Sequence, residues 1–311
     1  MLFKNLFIYR LPADFDDAPA ALEARLADRC LFPCAPFEMV SRGWVTCSPA
    51  QRLLHSVESH RLLALGTEEK LLPASIIRQV ALERAAKLAE DQGFPAGRKQ
   101  LRDIRLQVTE ELKARALCKR RETRAWIDAS NGWFVVDVAS AQRAESVVDT
   151  LRQTLGSFAV VPLATERSPA VVMSSWLNAG EATGPFTIDD NLELRAADKT
   201  PAVIRYGHCA PENRELRTRL AAGMVPTKLG LTWNGRVSFV LTDKGVIKQV
   251  EFLELEQDDT PGEEDDVDPV ERFDAELLLM GGELSKLIAD LVEALGGEAR
   301  LPAAAATAAA A

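Results

Sequence analysis

The sequence predicts an α+β protein made of mixed antiparallel sheets with packed helices, divided into several subdomains. Segments of strand composition alternate with longer segments in which apolar residues recur at helical spacing. Asn-Gly pairs at Asn131-Gly132 and Asn234-Gly235 lie between strand candidates, which is typical of β-hairpins. The 311 residues are 47% hydrophobic and 27% charged, as in ordinary globular domains. At this length we expect more than one domain.

The first third of the chain begins with a strand over residues 3–10, which Pro12 ends. A short amphipathic helix over 18–30 and several short strands within 37–72 follow, and we assign residues 1–72 to an N-terminal α+β subdomain. Pro73 suits the first turn of a helix that runs to about residue 92, where Gly93 and Pro95 stop it. A second helix over 98–116 completes a helical segment with a basic face, residues 73–122.

The middle of the chain predicts a β-β-α-β subdomain over 123–168 with a core of its own. Its strands are predicted at 124–128, 133–137 and 158–163. Its helix is predicted over 141–155, because Ala144, Val147 and Leu151 fall on one helical face.

The last third predicts a C-terminal α+β subdomain over 169–300 with an acidic loop at 254–272. Helices are predicted near 171–178 and at 213–222, and strands at 202–206, 228–233, 237–241 and 246–255. A final helix over 273–295 is expected to be interrupted or kinked at Gly281-Gly282 and to end at Gly296-Gly297. Residues 301–311 form an alanine-rich tail that we expect to be disordered.

The net charge of −9 hides a strong segregation of charge along the chain. Between Glu254 and Glu276 there are twelve acids and one base, so the other 288 residues carry a net charge of +2. Between Arg98 and Arg124 there are ten bases and four acids. The basic block is therefore the feature of this acidic protein that calls for an explanation.

A helical projection places the cations of the second predicted helix on one edge, within about 80°. The four cations are Arg98, Arg102, Arg105 and Lys113, and the neighbouring apolar stripe is Leu101, Ile104, Val108 and Leu112. Lys119-Arg120-Arg121 follow, just before a predicted strand, and extend the positive surface. A plain solvated face usually intersperses acids and bases to gain pairs, whereas this edge collects cations and forgoes that stabilisation. The pattern therefore favours a phosphate-facing edge, and a plain solvated face is the alternative. Phosphate contacts alone give no sequence preference.

Catalytic motifs for acyl transfer, nucleotide binding or zinc hydrolysis are absent from the sequence, and we expect no enzyme and no cofactor. Asp258-Asp259 and Asp265-Asp266 could hold magnesium for a nuclease. Two other interpretations compete with this one: the segment is a solvated loop, or it is a loop that mimics or repels nucleic acid. The five cysteines fit reduced core thiols, and His55 and His60 are poorly spaced for a metal. The five tryptophans are expected in the core. Neither a membrane-spanning segment nor a signal peptide is evident, so a cytoplasmic location is expected.

Several motifs that lie in order along nearly the whole chain point to one family. They are Phe3-Lys4-Asn5-Leu6-x-x-Tyr9-Arg10-Leu11, Gly43-Trp44-Val45, Glu69-Lys70-Leu71-Leu72-Pro73, Trp126-Ile127-Asp128-x-x-Asn131-Gly132, Thr227-Lys228-Leu229-x-Leu231-x-Trp233, Phe273-Asp274-Ala275-Glu276-x-x-Leu279-Met280-x-Gly282-Glu283-Leu284 and Leu291-Val292-Glu293-Ala294-Leu295-Gly296-Gly297-Glu298. Through these motifs the chain resembles the recombination-associated protein RdgC family.

The resemblance implies a bacterial, nucleoid-associated, non-enzymatic protein that forms a closed homodimeric ring around duplex DNA and restrains the RecA recombinase. Whether single-stranded DNA is also bound stays open. The resemblance and the basic block together predict phosphate contacts by Arg98, Lys99, Arg102, Arg105, Lys113, Lys119, Arg120, Arg121 and Lys228. The alternative is a protein-interaction module that inhibits the recombinase directly through the acidic loop, with DNA binding secondary.

Overall fold

The computed structural model describes residues 3–12, 15, 18–196, 202–207, 214–253 and 268–299. Most of the predicted acidic loop and the predicted alanine-rich tail lie outside these residues. Among the described helices, none is both long and apolar enough to cross a membrane.

The described residues form one large antiparallel sheet and seven helices. The strands are β1 (Asn5–Arg10), β2 (Val40–Val45), β3 (Leu54–Val57), β4 (His60–Lys70), β5 (Cys118–Asp128), β6 (Trp133–Val136), β7 (Val161–Pro162), β8 (Phe186–Ala196), β9 (Val203–Tyr206), β10 (Met224–Trp233), β11 (Val237–Thr242) and β12 (Ile247–Phe252). The helices are α1 (Pro19–Ala27), α2 (Ala74–Gln92), α3 (Arg98–Arg115), α4 (Ala141–Leu155), α5 (Pro169–Ala179), α6 (Arg214–Ala221) and α7 (Pro269–Ala294).

The strand order is β2-β4-β5-β6-β1-β12-β11-β10-β8-β9, with β3 paired to β4 and β7 to β1. The α+β class is confirmed, but the several sheets that the sequence predicts are joined into one. The junction is β1, since Asn5 and Leu6 pair with β12 while Phe7 to Arg10 pair with β6. Strand pairing over more than 200 residues of sequence leaves no local signal, so the sequence pattern could not show this junction.

Two apolar clusters hold helices against the sheet. The larger one includes residues of α5 and α7, and the other includes residues of α1 and α4. The cluster under α4 also contains Tyr9 of β1 and Leu22 of α1, so the predicted β-β-α-β unit shares its core with the start of the chain. All five tryptophans are buried, as predicted. Of the four cysteines within the described ranges only Cys47 is buried, so the expectation of core thiols is wrong for the others.

The two predicted Asn-Gly hairpins differ in the conformation of their turns. At Asn234-Gly235 both residues have positive φ, as a tight two-residue turn requires. At Asn131-Gly132 only Gly132 does, because Asn131 donates its backbone N–H and side-chain amide to the Asp128 carboxylate in a four-residue loop. The hairpin is present, but a side chain rather than a two-residue turn shapes it.

Helix α7 is continuous from Pro269 to Ala294, so the predicted interruption at Gly281-Gly282 is wrong. It also includes the last four residues of the predicted acidic loop. Gly281 lies where the helix meets the sheet, and a β-carbon there would be 2.9 Å from the His60 ring. Packing of the helix against β4 thus explains this glycine better than a kink does. Gly296 and Gly297, both with positive φ, end the helix as predicted.

Candidate nucleic-acid interface

Helices α2 and α3 form a hairpin, here called the helical arm (residues 74–115), that connects the ends of two paired strands. Lys70 at the end of β4 lies opposite Cys118 at the start of β5, so the arm begins and ends at one place on the sheet. Within the described chain, neither helix makes more than marginal contact with any strand. The arm therefore stands away from the two apolar clusters.

Few buried residues hold the arm together. Ala81 and Ala85 of α2 and Val108 of α3 are buried between the helices. Arg84 adds a bidentate ion pair to Glu111 across the hairpin, and this interaction lowers the pKa of Glu111. Small alanines allow the two helices to approach closely, while the outer faces remain in solvent.

Helix α3 carries six bases and three acids, and four of the bases fall within an arc of about 80° around the helix. Arg98, Arg102 and Arg105 are exposed and line one shallow depression together with Leu106 and Thr109. Lys99 is exposed on the neighbouring flank. We call Arg98, Lys99, Arg102 and Arg105 the basic edge of the arm.

Lys113 lies further along α3 and differs from the basic edge. Its ammonium is 3.2 Å from the Glu110 carboxylate and its side chain is 15% exposed. The expectation that this side of the helix forgoes pairing with acids is therefore wrong at Lys113. The acid three residues before it is close enough to pair, although the helical projection separates the two by about 60°.

The Lys119-Arg120-Arg121 run lies inside β5 and not before it, because β5 starts at Cys118. Side chains alternate between the two faces of a strand, so Lys119 and Arg121 point to one face and Arg120 to the other. Arg120 is 3.8 Å from Glu122 on that second face. The three consecutive cations are thus divided between two surfaces.

Lys119 and Arg121 line a groove of about 570 Å³ between the sheet and α4, together with Arg42 and Arg143. Arg42 of β2, Thr67 of β4 and Arg121 are opposite one another in register, which places their side chains on one face. Arg42 and Arg143 were not predicted, since each is isolated in the sequence, and only the register of the strands and the position of α4 bring them to this groove.

Acidic residues also line this groove. Glu69, which lies opposite Lys119 in the sheet, and Asp137 contribute to its lining, and Asp137 accepts the backbone N–H groups of Lys4 and Asn5. The groove therefore has mixed charge, in contrast to the basic edge of the arm.

Lys228 lies on β10, in the part of the sheet that follows the junction at β1, and it is paired. Its ammonium donates to the buried Glu193 carboxylate at 2.9 Å, and Arg205 and Thr227 also donate to that group. The Lys228 hydrogen bond is the main reason that the pKa of Glu193 falls to about 2. Lys228 thus compensates a buried charge, a role that its sequence position does not reveal.

The groups considered for metal binding are engaged elsewhere or are not described. His55 contacts Asp274 at 2.6 Å, and Trp126 donates to Nδ1 of His60. Within the described ranges no three His, Cys, Asp or Glu side chains are grouped so as to hold a metal ion. The pairs Asp258-Asp259 and Asp265-Asp266 lie outside those ranges, as do His208 and Cys209.

The basic edge presents exposed guanidinium and ammonium groups along the first half of α3. Such groups bind phosphate oxygens by charge and hydrogen bonding, and their spacing of one helical turn allows them to contact neighbouring phosphates. Unlike Lys113 and Lys228, none of the four cations of the basic edge lies in an ion pair identified within the described residues.

Comparison with known proteins agrees with these observations. A family described as "Putative exonuclease, RdgC" matches residues 1–298. A protein of Cupriavidus necator (strain H16) named "Recombination-associated protein RdgC" is 42% identical over 298 residues, covering 96% of this chain and 99% of its own. Proteins of the same name from Janthinobacterium sp. (strain Marseille) and Dechloromonas aromatica (strain RCB) are also 42% identical, over 96% of this chain and 99% and 98% of theirs. The chain therefore belongs to the RdgC family of recombination-associated proteins.

Proposed function

We propose that this protein binds DNA without sequence preference through the basic edge of the helical arm, as a ring-shaped homodimer that encircles the duplex and restrains the RecA recombinase at the nucleoid. The observation that carries the proposal is the set of Arg98, Lys99, Arg102 and Arg105, exposed together on a helix that stands away from the sheet. Cations in this arrangement neutralise phosphates and release counterions, whatever the base sequence.

We also include the strand cations Lys119, Arg120 and Arg121 among the proposed phosphate contacts. They lie near the point where the arm joins the sheet, with Lys119 and Arg121 on one face of β5 and Arg120 on the other. Lys113 and Lys228 contribute less directly, since each pairs with an acid. A salt bridge must be broken or shared before either cation can neutralise a phosphate, which reduces the net gain. We therefore assign most of the affinity to the basic edge.

The test is equilibrium binding of two unrelated duplexes of equal length over a salt series, measured by fluorescence anisotropy. We expect equal affinities and a linear fall of log K with log salt. The triple variant Arg98→Ala, Arg102→Ala, Arg105→Ala should have a slope smaller by about 0.9 for each phosphate that is no longer neutralised, or by up to about 3.

A control variant should remove the same charge elsewhere. Arg52, Arg217 and Lys244 are exposed cations outside the arm, and their joint replacement by alanine should leave the slope nearly unchanged. Equal slopes for the two triple variants would reject the basic edge as the binding surface. Wild-type protein that shows no salt-dependent binding would reject DNA binding altogether.

Ring closure makes a separate prediction. A closed dimer on a covalently closed DNA circle cannot leave by sliding, whereas it can slide off the ends of linear DNA. In pull-downs of immobilised DNA, protein should resist a high-salt wash on the circle and be released once a restriction enzyme cuts it. Release from both forms alike would contradict encirclement.

The alternative function acts through the acidic segment, whose many carboxylates could engage the recombinase directly. Deletion of residues 257–267 tests it and leaves Asp268 in place, because that side chain accepts the Val270 N–H at the start of α7. Failure to inhibit RecA-mediated strand exchange, with unchanged DNA affinity, would favour the alternative.

The description of the matching family as an exonuclease motivates a direct assay. We expect no degradation of linear duplex or single-stranded DNA when magnesium is added to the protein. Magnesium-dependent loss of end-labelled DNA that survives repurification, and that disappears when Asp258, Asp259, Asp265 and Asp266 are changed to Asn, would establish a nuclease instead.

A further inference from the structure

Phe94 lies in the loop between α2 and α3, at the end of the arm opposite its attachment to the sheet. It is 59% exposed, far more than the tryptophans, all of which are buried. A large aromatic side chain left in solvent at the tip of a projecting hairpin lacks the stabilisation that burial would give it. Packing within the protomer therefore does not explain this residue.

The loop that presents Phe94 is braced by side-chain hydrogen bonds. Gln92 Nε2 donates to the Phe94 carbonyl at 2.9 Å, and Gln100 Nε2 donates to Gln92 Oε1 at 3.1 Å. Gln100 Oε1 in turn accepts the Gly97 N–H at 2.8 Å. Gly93, with φ of +77°, ends α2 and turns the chain into the loop. The aromatic ring is thus carried on a fixed support, which reduces the entropy cost when it binds a partner.

Charge around the tip is divided between the two helices. The basic edge begins at Arg98 and Lys99, four and five residues after Phe94, and continues to Arg102. The last turn of α2 holds the exposed acids Glu90 and Asp91. A polyanion is therefore favoured on the α3 side of the ring only.

We propose that Phe94 stacks on an unpaired base of a DNA strand whose phosphates contact Arg98, Lys99 and Arg102. An exposed aromatic ring beside a row of cations is the combination that binds single strands, since every base has a π face and every nucleotide a phosphate. The inference rests on the proposed DNA binding and specifies single-stranded or locally unpaired DNA as the form that the arm tip recognises.

The experiment compares Phe94→Ala, Phe94→Trp and Leu82→Ala with wild type on a 30-nucleotide oligo(dT) and on a 30-base-pair duplex, over a salt series. Leu82 is the matched control, because it is 58% exposed on α2 of the same arm. Phe94→Ala should weaken oligo(dT) binding about 5- to 100-fold and duplex binding much less, with an unchanged salt slope because every phosphate-binding cation remains. Leu82→Ala should bind both like wild type.

Phe94→Trp supplies a readout specific for stacking. It should retain affinity, and oligo(dT) should quench the emission of the new exposed tryptophan, whereas the five buried tryptophans contribute a constant background. Equal oligo(dT) affinity of Phe94→Ala and wild type, or no quenching in Phe94→Trp, would overturn the inference while leaving duplex binding intact. Loss of the proposed dimer in Phe94→Ala, measured by light scattering, would also overturn the inference and assign the Phe94 side chain to a contact between protomers. Absence of salt-dependent binding by wild type would instead reject the proposed function.

Discussion

Replacement by alanine of two adjacent glycines in α7 should change the stability of the protein in opposite directions. Gly281 is buried, and an added β-carbon would lie 2.9 Å from Cε1 and Nε2 of His60. Gly282 is one residue further along the helix, and a β-carbon there would meet no atom within 4 Å among the described residues. Gly281→Ala and Gly282→Ala therefore differ in packing but share the helical backbone.

The expected free energies of unfolding follow from two opposing effects. Alanine stabilises a helix interior by about 0.8–1.0 kcal/mol relative to glycine, so Gly282→Ala should gain about that amount. Overpacking in a filled core costs about 1–3 kcal/mol, so Gly281→Ala should end up as much as about 2 kcal/mol less stable than wild type.

The His60 ring has little room to yield. Its Nδ1 accepts the Trp126 indole N–H at 3.2 Å, and the two rings lie 5.6 Å apart. Burial lowers the pKa of His60, which favours the neutral ring that this hydrogen bond requires. Movement away from a methyl group at position 281 would therefore disturb a buried hydrogen bond.

Differential scanning calorimetry of the two variants beside wild type is the assay. The melting temperature of Gly282→Ala should exceed that of Gly281→Ala by on the order of 5 °C. His60→Ala should relieve the close approach, so Gly281→Ala should cost less in that background than alone. Equal melting temperatures, or a more stable Gly281→Ala, would refute the close approach of α7 to His60.

Further predictions concern Glu193, Lys228 and Val108. The pKa of Glu193 is lowered from its ordinary 4.5 to about 2, so this carboxylate stabilises the fold above about pH 4.5 and that contribution disappears as the pH falls toward 2. Glu193→Gln should lower the free energy of unfolding by about 2 kcal/mol at pH 7, after allowance for solvent screening of the exposed partners of Glu193. It should also flatten the pH dependence of stability measured by urea unfolding in this window, and an unchanged pH profile would contradict the pairing. Lys228→Ala should change the salt slope of the proposed DNA binding less than Arg102→Ala does, because Lys228 is already paired with Glu193. An equal change would assign Lys228 a direct phosphate contact. Val108→Ala should weaken the packing of α2 against α3 by about 2 kcal/mol and speed hydrogen exchange in these two helices without affecting exchange in the sheet. Hydrogen exchange that is faster in the helices and the sheet alike would show that the arm does not unfold separately.

Helices were predictable where local spacing and end signals agree. Helix α4 spans Ala141–Leu155, the predicted range, because its apolar residues keep a 3.6-residue period and Gly156 ends it with a positive φ. Strand β8 was missed, since Asp189, Asp190 and Asn191 interrupt its strand composition. Pairing with β10 through two register irregularities overrides that low local preference.

The candidate site could also be predicted from the sequence only in part. The basic edge of α3 was predictable because helical neighbours lie three and four residues apart in sequence. The association of Arg42 and Arg143 with Lys119 was not, because it depends on the register of β2, β4 and β5 and on the position of α4.

Sequence alone determined the α+β class, the position of the helices and the separation of basic from acidic segments, because these depend on composition and on neighbours a few residues apart. Tertiary structure decided that β1 joins all strands into one sheet, that Lys228 neutralises Glu193 and that Phe94 is presented at the tip of the helical arm. The first two link residues that are distant in sequence, and the third depends on what the rest of the chain leaves unburied, so only the folded chain reveals them.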